Sequence, residues 1–233
     1  MIDGTTRLVG LIGDPVSGSL SPRMQNAAFA ARALNWAYVP LPVEGARLAD
    51  ALRGLVAFGF AGANVTAPHK EAAARLCDEA DGGAVNTLVI RDGRVLGSNT
   101  DREIVSGIAA TRVCLIGAGG AARALVKALP GEVRTFSRRG EWPPDASGCD
   151  LVVNATPVRD DALVELHADQ AVVDLAYNAD GSETALVAAA RLAGCTVIVD
   201  GYEALVRQGA ASFECWTGVP APLDVMRAAV RSV

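Results

Sequence analysis

Val113-Cys114-Leu115-Ile116 runs straight into Gly117-Ala118-Gly119-Gly120-Ala121-Ala122, and that junction leaves the chain few choices of fold. Four apolar residues in a row predict a strand buried on both faces, as in a parallel sheet. The glycines predict a tight turn, and a helical pattern over Ala121–Leu129 follows. A second strand, Val133–Phe136, stands where a βαβ unit needs its parallel partner. Free N–H groups and the positive end of the helix dipole then face whatever lies at the turn, which suits a pyrophosphate. The pattern is G-x-G-G-x-A, a variant of the usual fingerprint. A Gly-rich turn alone is equally a turn with no ligand; the strand before it, the helix after it and the second strand favour a dinucleotide.

The end of that second strand selects the cofactor. NAD sites usually carry Asp or Glu there for the ribose 2′-hydroxyl, whereas a 2′-phosphate wants arginine. The strand ends in Ser137-Arg138-Arg139, and no carboxylate occurs before Glu141. NADP is therefore expected, against the alternative of two solvated loop arginines.

The rest of the chain repeats the alternation. The first half reads as strand Arg7–Ile12, helix from Ser21-Pro22 to about Ala33, strand Tyr38–Leu41, helix Ala46–Phe58, strand Ala63–Val65 and helix Lys70–Asp78. Asp92-Gly93 marks a hairpin between Thr87–Ile90 and Arg94–Leu96. Ser21 is expected as the helix N-cap with Pro22 at the first helical position. After the glycine turn come strands Leu151–Asn154, Val172–Asp174 and Thr196–Val199, helix Thr184–Leu192, and closing helices over Glu203–Trp216 and Leu223–Val230. This predicts an α/β chain of two domains. One spans 1–101, has a mostly parallel sheet and is closed by C-terminal helices from about 206–233; the other, 102–205, is a Rossmann domain.

Composition narrows the function classes. At 233 residues and 51% hydrophobic content the chain can bury one large or two modest cores. A net charge of -5 with no concentrated basic face argues against nucleic acid. Five widely spaced cysteines, odd in number and without a C-x-x-C pair, suit reduced thiols and give no metal site. No apolar run is long enough to span a membrane and no secretory leader pattern opens the chain, so a cytoplasmic protein is expected, with monomer and homodimer both open. Lys70 and Lys127 are the lysines of a chain whose other permanent cations are arginines.

Three polar clusters sit where plain connections would otherwise serve: Ser17-Gly18-Ser19-Leu20-Ser21-Pro22, Asn64-Val65-Thr66-Ala67-Pro68-His69-Lys70, and Asn86-Thr87 with Asn99-Thr100-Asp101. Each follows or adjoins a predicted strand end, where open α/β sheets place ligands. Hydroxyls, carboxamides, one ammonium and one carboxylate suit a small polyhydroxylated ligand. Ser19 and Ser21 can donate to a ligand carboxylate.

Taken in order, Ser19-Leu20-Ser21-Pro22, Asn64-Val65-Thr66 with Pro68-His69-Lys70, Ala84-Val85-Asn86-Thr87, Asn99-Thr100-Asp101, the glycine turn and Trp216-Thr217-Gly218 resemble the successive signatures of the shikimate dehydrogenase family, over nearly the whole chain. The resemblance implies an N-terminal substrate domain and a C-terminal NADP-binding Rossmann domain. It implies an oxidoreductase that interconverts 3-dehydroshikimate and shikimate, with Lys70 and Asp101 at the reacting hydroxyl. Ser19 and Ser21 would hold the carboxylate, and Thr66, Asn86 and Asp101 the ring hydroxyls, with further contacts from Tyr177 and Gln208 and with Asn64 also in the substrate site. Gly117, Gly119, Gly120, Ala121, Ser137, Arg138, Arg139 and Thr156 would hold the cofactor. A lysine can exchange a proton where arginine cannot, so Lys70 is expected as donor and acceptor, Asp101 as its orienting partner and His69 as a bystander.

The chain departs from the family pattern at four places. Arg102 stands where glycine is usual, Cys77–Ala84 is short, Ser137-Arg138-Arg139 replaces Asn-Arg-Thr, and Pro157-Val158-Arg159-Asp160 replaces small residues followed by Gly-Met. Quinate and aminoshikimate dehydrogenases, and a non-catalytic NADP-binding regulator, remain open alternatives.

Overall fold

A computed structural model describes residues 2–178 and 180–232. The chain forms two compact units, one from Met1–Thr100 with Gln208–Val230, the other from Asp101–Arg207 with Arg231–Val233. The divisions fall between Thr100 and Asp101, inside helix α6 (Gly201–Thr217) between Arg207 and Gln208, and after Val230.

Unit 1 holds a six-stranded sheet ordered β2-β1-β3-β5-β6-β4. Its strands are β1 (Arg7–Gly13), β2 (Trp36–Pro42), β3 (Gly62–Val65), β4 (Glu79–Ala80), β5 (Thr87–Arg91) and β6 (Arg94–Ser98). β1 pairs parallel with β2 and β3, β4 parallel with β6, and β5 antiparallel with both neighbours. The hairpin turn places Asp92 at φ 51° and Gly93 at φ 75°, the left-handed pair that a two-residue turn matched to strand twist requires. The two-residue β4 has no apolar alternation to betray it and was not expected from sequence; it exists because its Asp78 flank accepts from Val95 N at 2.7 Å.

Residue alternation along β3 assigns the two faces. Ala63 and Val65 turn towards α2 (Leu48–Ala57), whose Leu48, Leu52 and Leu55 complete an apolar cluster with Ile12, Leu88 and Val95. Gly62 and Asn64 turn the other way, towards α6. There Trp216 lies over Gly62 and donates Nε1–H to Leu88 O at 2.9 Å, and Ser212 meets Asn64 at 2.9 Å. Four residues of helix advance about 6 Å and two of strand about 6.7 Å, so one stripe of α6 keeps step with alternate residues of β3. A Cβ on Gly62 would stand 2.1 Å from Leu88 O and 2.6 Å from Trp216 Nε1. Helix α1 (Ser21–Ala31) joins the same layer, with Phe29 stacked on Phe213 at 5.3 Å.

Unit 2 holds a five-stranded, wholly parallel sheet ordered β11-β10-β9-β7-β8. Its strands are β7 (Arg112–Ile116), β8 (Glu132–Phe136), β9 (Leu151–Asn154), β10 (Ala171–Asp174) and β11 (Ile198–Val199). Val113, Leu115, Leu151, Val153 and Val173 meet Leu125, Leu129 and Ala204 on one face. On the other, Cys114, Ile116, Phe136 and Val152 form a second core, and Val172 packs with Leu186 and Ala190 of α5 (Ala185–Ala193). α4 covers Gly120–Leu125, shorter than the Ala121–Leu129 expected, because Val126–Ala128 winds into turns before Pro130. The crossovers 137–150 and 155–170 contain no helix. Ala146 and Cys149 from the first, and Leu163, Val164 and Leu166 from the second, cover that face instead. α7 (Leu223–Arg231) closes the described chain, Arg231 bonding Asp200 at 2.7 Å. Among the described residues no helix is long and apolar enough to cross a membrane, and all five cysteines are free thiols.

Gly62→Ala is expected to cost about 3 kcal/mol of unfolding free energy, since its methyl meets backbone oxygen and a pinned indole. Gly83→Ala, open on its Cβ side, should change stability by less than about 0.5 kcal/mol. Urea unfolding of both variants checks the contrast.

Candidate active site

The C-terminal ends of β1, β3 and β6 and the N-terminal end of β5 lie at one edge of the unit 1 sheet, because β5 runs antiparallel to its neighbours. All three polar clusters leave from that edge. Backbone pairing continues past the strands: Thr66 N donates to Ile12 O at 2.8 Å, Val65 N to Asn86 O at 2.8 Å, and Asn86 N to Ser98 O at 3.0 Å. Thr66 can lie there because residue 13 is glycine; a Cβ would meet its Cγ2 at 2.3 Å.

Ser21 differs from expectation. It is the first residue of α1, Leu20 occupies the N-cap without a capping side chain, and Ser19 Oγ accepts from Ser21 N at 3.2 Å. Ser21 is instead buried and hydrogen-bonded to the Tyr38 hydroxyl, whose ionisation burial pushes far above the usual range and Ser21 partly restores.

Tyr38 in turn donates to Asn64 Oδ1 at 2.9 Å. Asn64 Nδ2 faces Asn86 O at 3.0 Å, Thr87 Oγ1 at 3.2 Å and Ser212 Oγ at 2.9 Å. Asn86 Oδ1 accepts from Thr100 N at 2.8 Å and from the hydroxyls of Thr87 and Thr100 at 3.0 and 3.1 Å. Asn64, Asn86, Thr87, Thr100 and Ser212 are all buried. Asn64 therefore braces the site from below, with its amide committed to protein partners. Thr87 and Thr100 stood inside the motifs without being singled out. Tyr38 and Ser212 were missed altogether; the available signal was a serine on the buried face of α6, between Gln208 and Trp216 at four-residue steps.

Lys70 opens α3 (Lys70–Leu76) half-buried, its carbonyl accepting from Val85 N at 3.0 Å. His69 is buried, with Nε2 2.6 Å from Val43 O, which ties the start of α3 to the segment after β2. Ser212 Oγ donates to Gln208 O at 3.0 Å, so the α6 stripe continues to Gln208, one step beyond Asn64 towards Thr66. Ser19, Ser21, Asn64, Thr66, Lys70, Asn86 and Gln208 thus share the polar end of unit 1. Asp101 and Tyr177 belong to unit 2, Asp101 buried in a 3-10 turn over Thr100–Ile104 and Tyr177 against Tyr202 at 5.3 Å.

Unit 2 carries the glycine turn as expected. Gly117 has φ 117°, donates N–H to Phe136 O at 2.8 Å, and a Cβ there would stand 3.0 Å from Ala155 O. Gly119 and Gly120 face open space, and Ala121 is half-buried behind them. Beyond β8, Arg138 and Arg139 are exposed, and among the described residues neither is paired with a carboxylate. Glu141 is held by Arg134 at 3.1 Å. An open glycine cradle and two guanidiniums without a carboxylate partner fit a pyrophosphate and a further phosphate.

A buried carboxylate organises the neighbouring strand ends. Asp174 accepts from Thr184 Oγ1 at 2.5 Å, Ala176 N at 2.9 Å and Asn154 Nδ2 at 2.9 Å. Asn154 Oδ1 accepts from Thr156 N and Oγ1 at 2.9 and 2.7 Å, and Thr156 Oγ1 from Val158 N at 3.2 Å. The altered segment Pro157-Val158-Arg159 is anchored by this chain, and Arg159 O accepts from Ala185 N at 2.7 Å. Burial raises the Asp174 carboxyl above the usual carboxylate range, against the pull of its three donors. The folded state thus favours its protonated form, so this stability is full below the ordinary carboxylate pKa and is lost as pH rises through the raised value. Asp174→Asn should retain stability over that rise, so the variant-minus-native difference climbs from acid towards neutral pH; parallel thermal-melt profiles would contradict it.

A family profile described as the shikimate dehydrogenase substrate binding domain matches residues 11–88, and one described as the shikimate 5′-dehydrogenase C-terminal domain matches residues 201–231. A shikimate dehydrogenase (NADP+) of Methanopyrus kandleri is 39% identical, covering 98% of this chain and 96% of its own. That match runs over 282 aligned positions, so the relative carries insertions that the 233 residues here lack. A crystal structure of a shikimate dehydrogenase in complex with NADP+ superposes with a TM-score of 0.88 at 32% identity, covering 99% of this chain and 96% of that one. The enzyme of Thermus thermophilus, in complex with NADP(H) and shikimate, gives 0.83 at 29% identity, with coverage of 97% and 98%. With sequence identity and architecture agreeing over almost its full length, the chain belongs to the shikimate dehydrogenase family.

Proposed function

We propose that this protein is an NADP-dependent oxidoreductase that interconverts 3-dehydroshikimate and shikimate. The observation that carries the reading is the gathering of Ser19, Ser21, Thr66, Lys70, Asn86 and Gln208 at one sheet edge above a braced amide network. That set matches a ring bearing a carboxylate and several hydroxyls. Relatives about 40% identical that carry the same activity in their names support the choice of substrate. Unit 1 then serves as the substrate domain and unit 2 as the nucleotide domain.

The nicotinamide, when bound, supplies the hydride chemistry. The chain's own groups orient the ring and move one proton. The Ser19 hydroxyl donates to the carboxylate, and Ser21, whose own hydroxyl is turned to Tyr38, orients Ser19 through its N–H. Thr66, Asn86 and Asp101 bind ring hydroxyls, Tyr177 and Gln208 add contacts, and Asn64 holds Asn86 and Tyr38 in place. Lys70 exchanges the proton at the oxygen on the reacting carbon, a task a guanidinium cannot perform. Asp101 orients that ammonium and hydroxyl. In the cofactor site Gly117, Gly119, Gly120 and Ala121 face the pyrophosphate and Thr156 the nicotinamide end. Ser137, Arg138 and Arg139 hold the 2′-phosphate.

Absorbance of the reduced nicotinamide, followed with shikimate and with quinate, each with NADP and with NAD, tests the assignment. Shikimate with NADP should give the highest kcat/KM; faster turnover of quinate would reassign the substrate. Lys70→Ala should lower kcat by about 10²- to 10⁴-fold while calorimetry still detects shikimate binding. Retained turnover would remove Lys70 from proton transfer.

A further inference from the structure

The crossover from β8 to β9 is irregular over residues 137–150, and one of its side chains has no part in the core. Pro144, Ala146 and Cys149 supply the buried contacts of this segment, yet Trp142 remains 40% exposed. Its indole lies against the Arg138 guanidinium, whose central carbon is 5.6 Å from the ring centroid. The backbone brings the two residues close together. Gly140 N donates to Ser137 O at 2.9 Å and Ser137 N to Glu141 O at 3.0 Å, closing a small loop that sets Arg138 and Trp142 on its two limbs. A Cβ at Gly140 would come within 3.3 Å of Ser137 Oγ, so the turn is tight. Glu141, the carboxylate nearest in sequence, is drawn away by Arg134 at 3.1 Å and does not compete for Arg138.

An exposed arginine samples many rotamers, and fixing it on a phosphate costs side-chain entropy. An aromatic face within about 6 Å of the cation restricts that freedom beforehand while leaving the N–H fork available to oxygen. We propose that Trp142 is a positioning residue for cofactor selection: its indole holds Arg138 ready for the 2′-phosphate and so strengthens discrimination between NADP and NAD. This rests on the assignment of Arg138 to the 2′-phosphate in the proposed function. It also gives the helix-free crossover a task, since its turn carries the platform.

Calorimetric titration of the whole protein with 2′,5′-ADP and with 5′-AMP isolates the effect from turnover. Arg138→Ala should weaken 2′,5′-ADP more than about ten-fold and leave 5′-AMP within two-fold. Trp142→Ala should weaken 2′,5′-ADP about three-fold, the scale of an exposed cation–aromatic contact, again sparing 5′-AMP; Trp142→Phe should recover most of the loss. Adding Trp142→Ala to Arg138→Ala should have no further effect, because the indole acts through the arginine. If Arg138→Ala behaves as stated but Trp142→Ala leaves 2′,5′-ADP unchanged, or weakens both nucleotides equally, the Trp142 proposal fails and the cofactor assignment stands. If the native protein does not prefer 2′,5′-ADP, both fail together.

Discussion

The polar end of unit 1 depends on one buried carboxamide. Asn64 sits where a strand facing an apolar layer would carry Val or Leu, and a buried amide is tolerated only when its hydrogen-bonding groups are met. Tyr38 meets its oxygen, and Asn86, Thr87 and Ser212 surround its nitrogen. Those four partners come from β2, the start of β5 and α6, so satisfying the amide fixes their mutual register. The same contacts that make Asn64 tolerable inside the core align the polar groups gathered at this end of the sheet.

The helix that supplies Ser212 is placed by spacing. Trp216 over Gly62, Ser212 over Asn64 and Gln208 one step further form a stripe whose rise matches the pleat of β3. A glycine admits the indole and an asparagine admits the serine, so neither position tolerates an ordinary strand residue. This links a residue near the end of the chain to a strand nearly 150 positions earlier. It accounts for why the chain returns to its first unit after completing its second sheet.

Unit 2 shows how little a parallel sheet needs around it. Two of its crossovers dispense with helices, and a few apolar loop residues cover the face they would have shielded. What such loops lose in regular hydrogen bonding they recover through side-chain anchors: Asp150 on Thr111 and Arg112, Gln170 on Ala146 and Cys149, and Asp174 on Asn154, Ala176 and Thr184. The Asp174 chain reaches furthest, because it runs through Asn154 to Thr156 and anchors the segment in which the chain departs from its family's pattern.

Much of this was legible in the sequence, for a local reason. Strand period, glycine turns, the Asp92-Gly93 hairpin and the clusters around Ser19, Thr66, Lys70 and Asn86 are written in residues close together, where backbone preference and side-chain chemistry act over a few positions. The sequence by itself determined the alternating α/β plan, the glycine cradle and the candidate ligand groups. It could not place Ser212 or Tyr38, whose importance arises from partners far along the chain, nor reveal that Ser21 points inward to Tyr38 instead of capping its helix. Tertiary structure alone decided which polar groups brace and which face outward, because burial and hydrogen-bond satisfaction are properties of the packed chain and not of any segment of it.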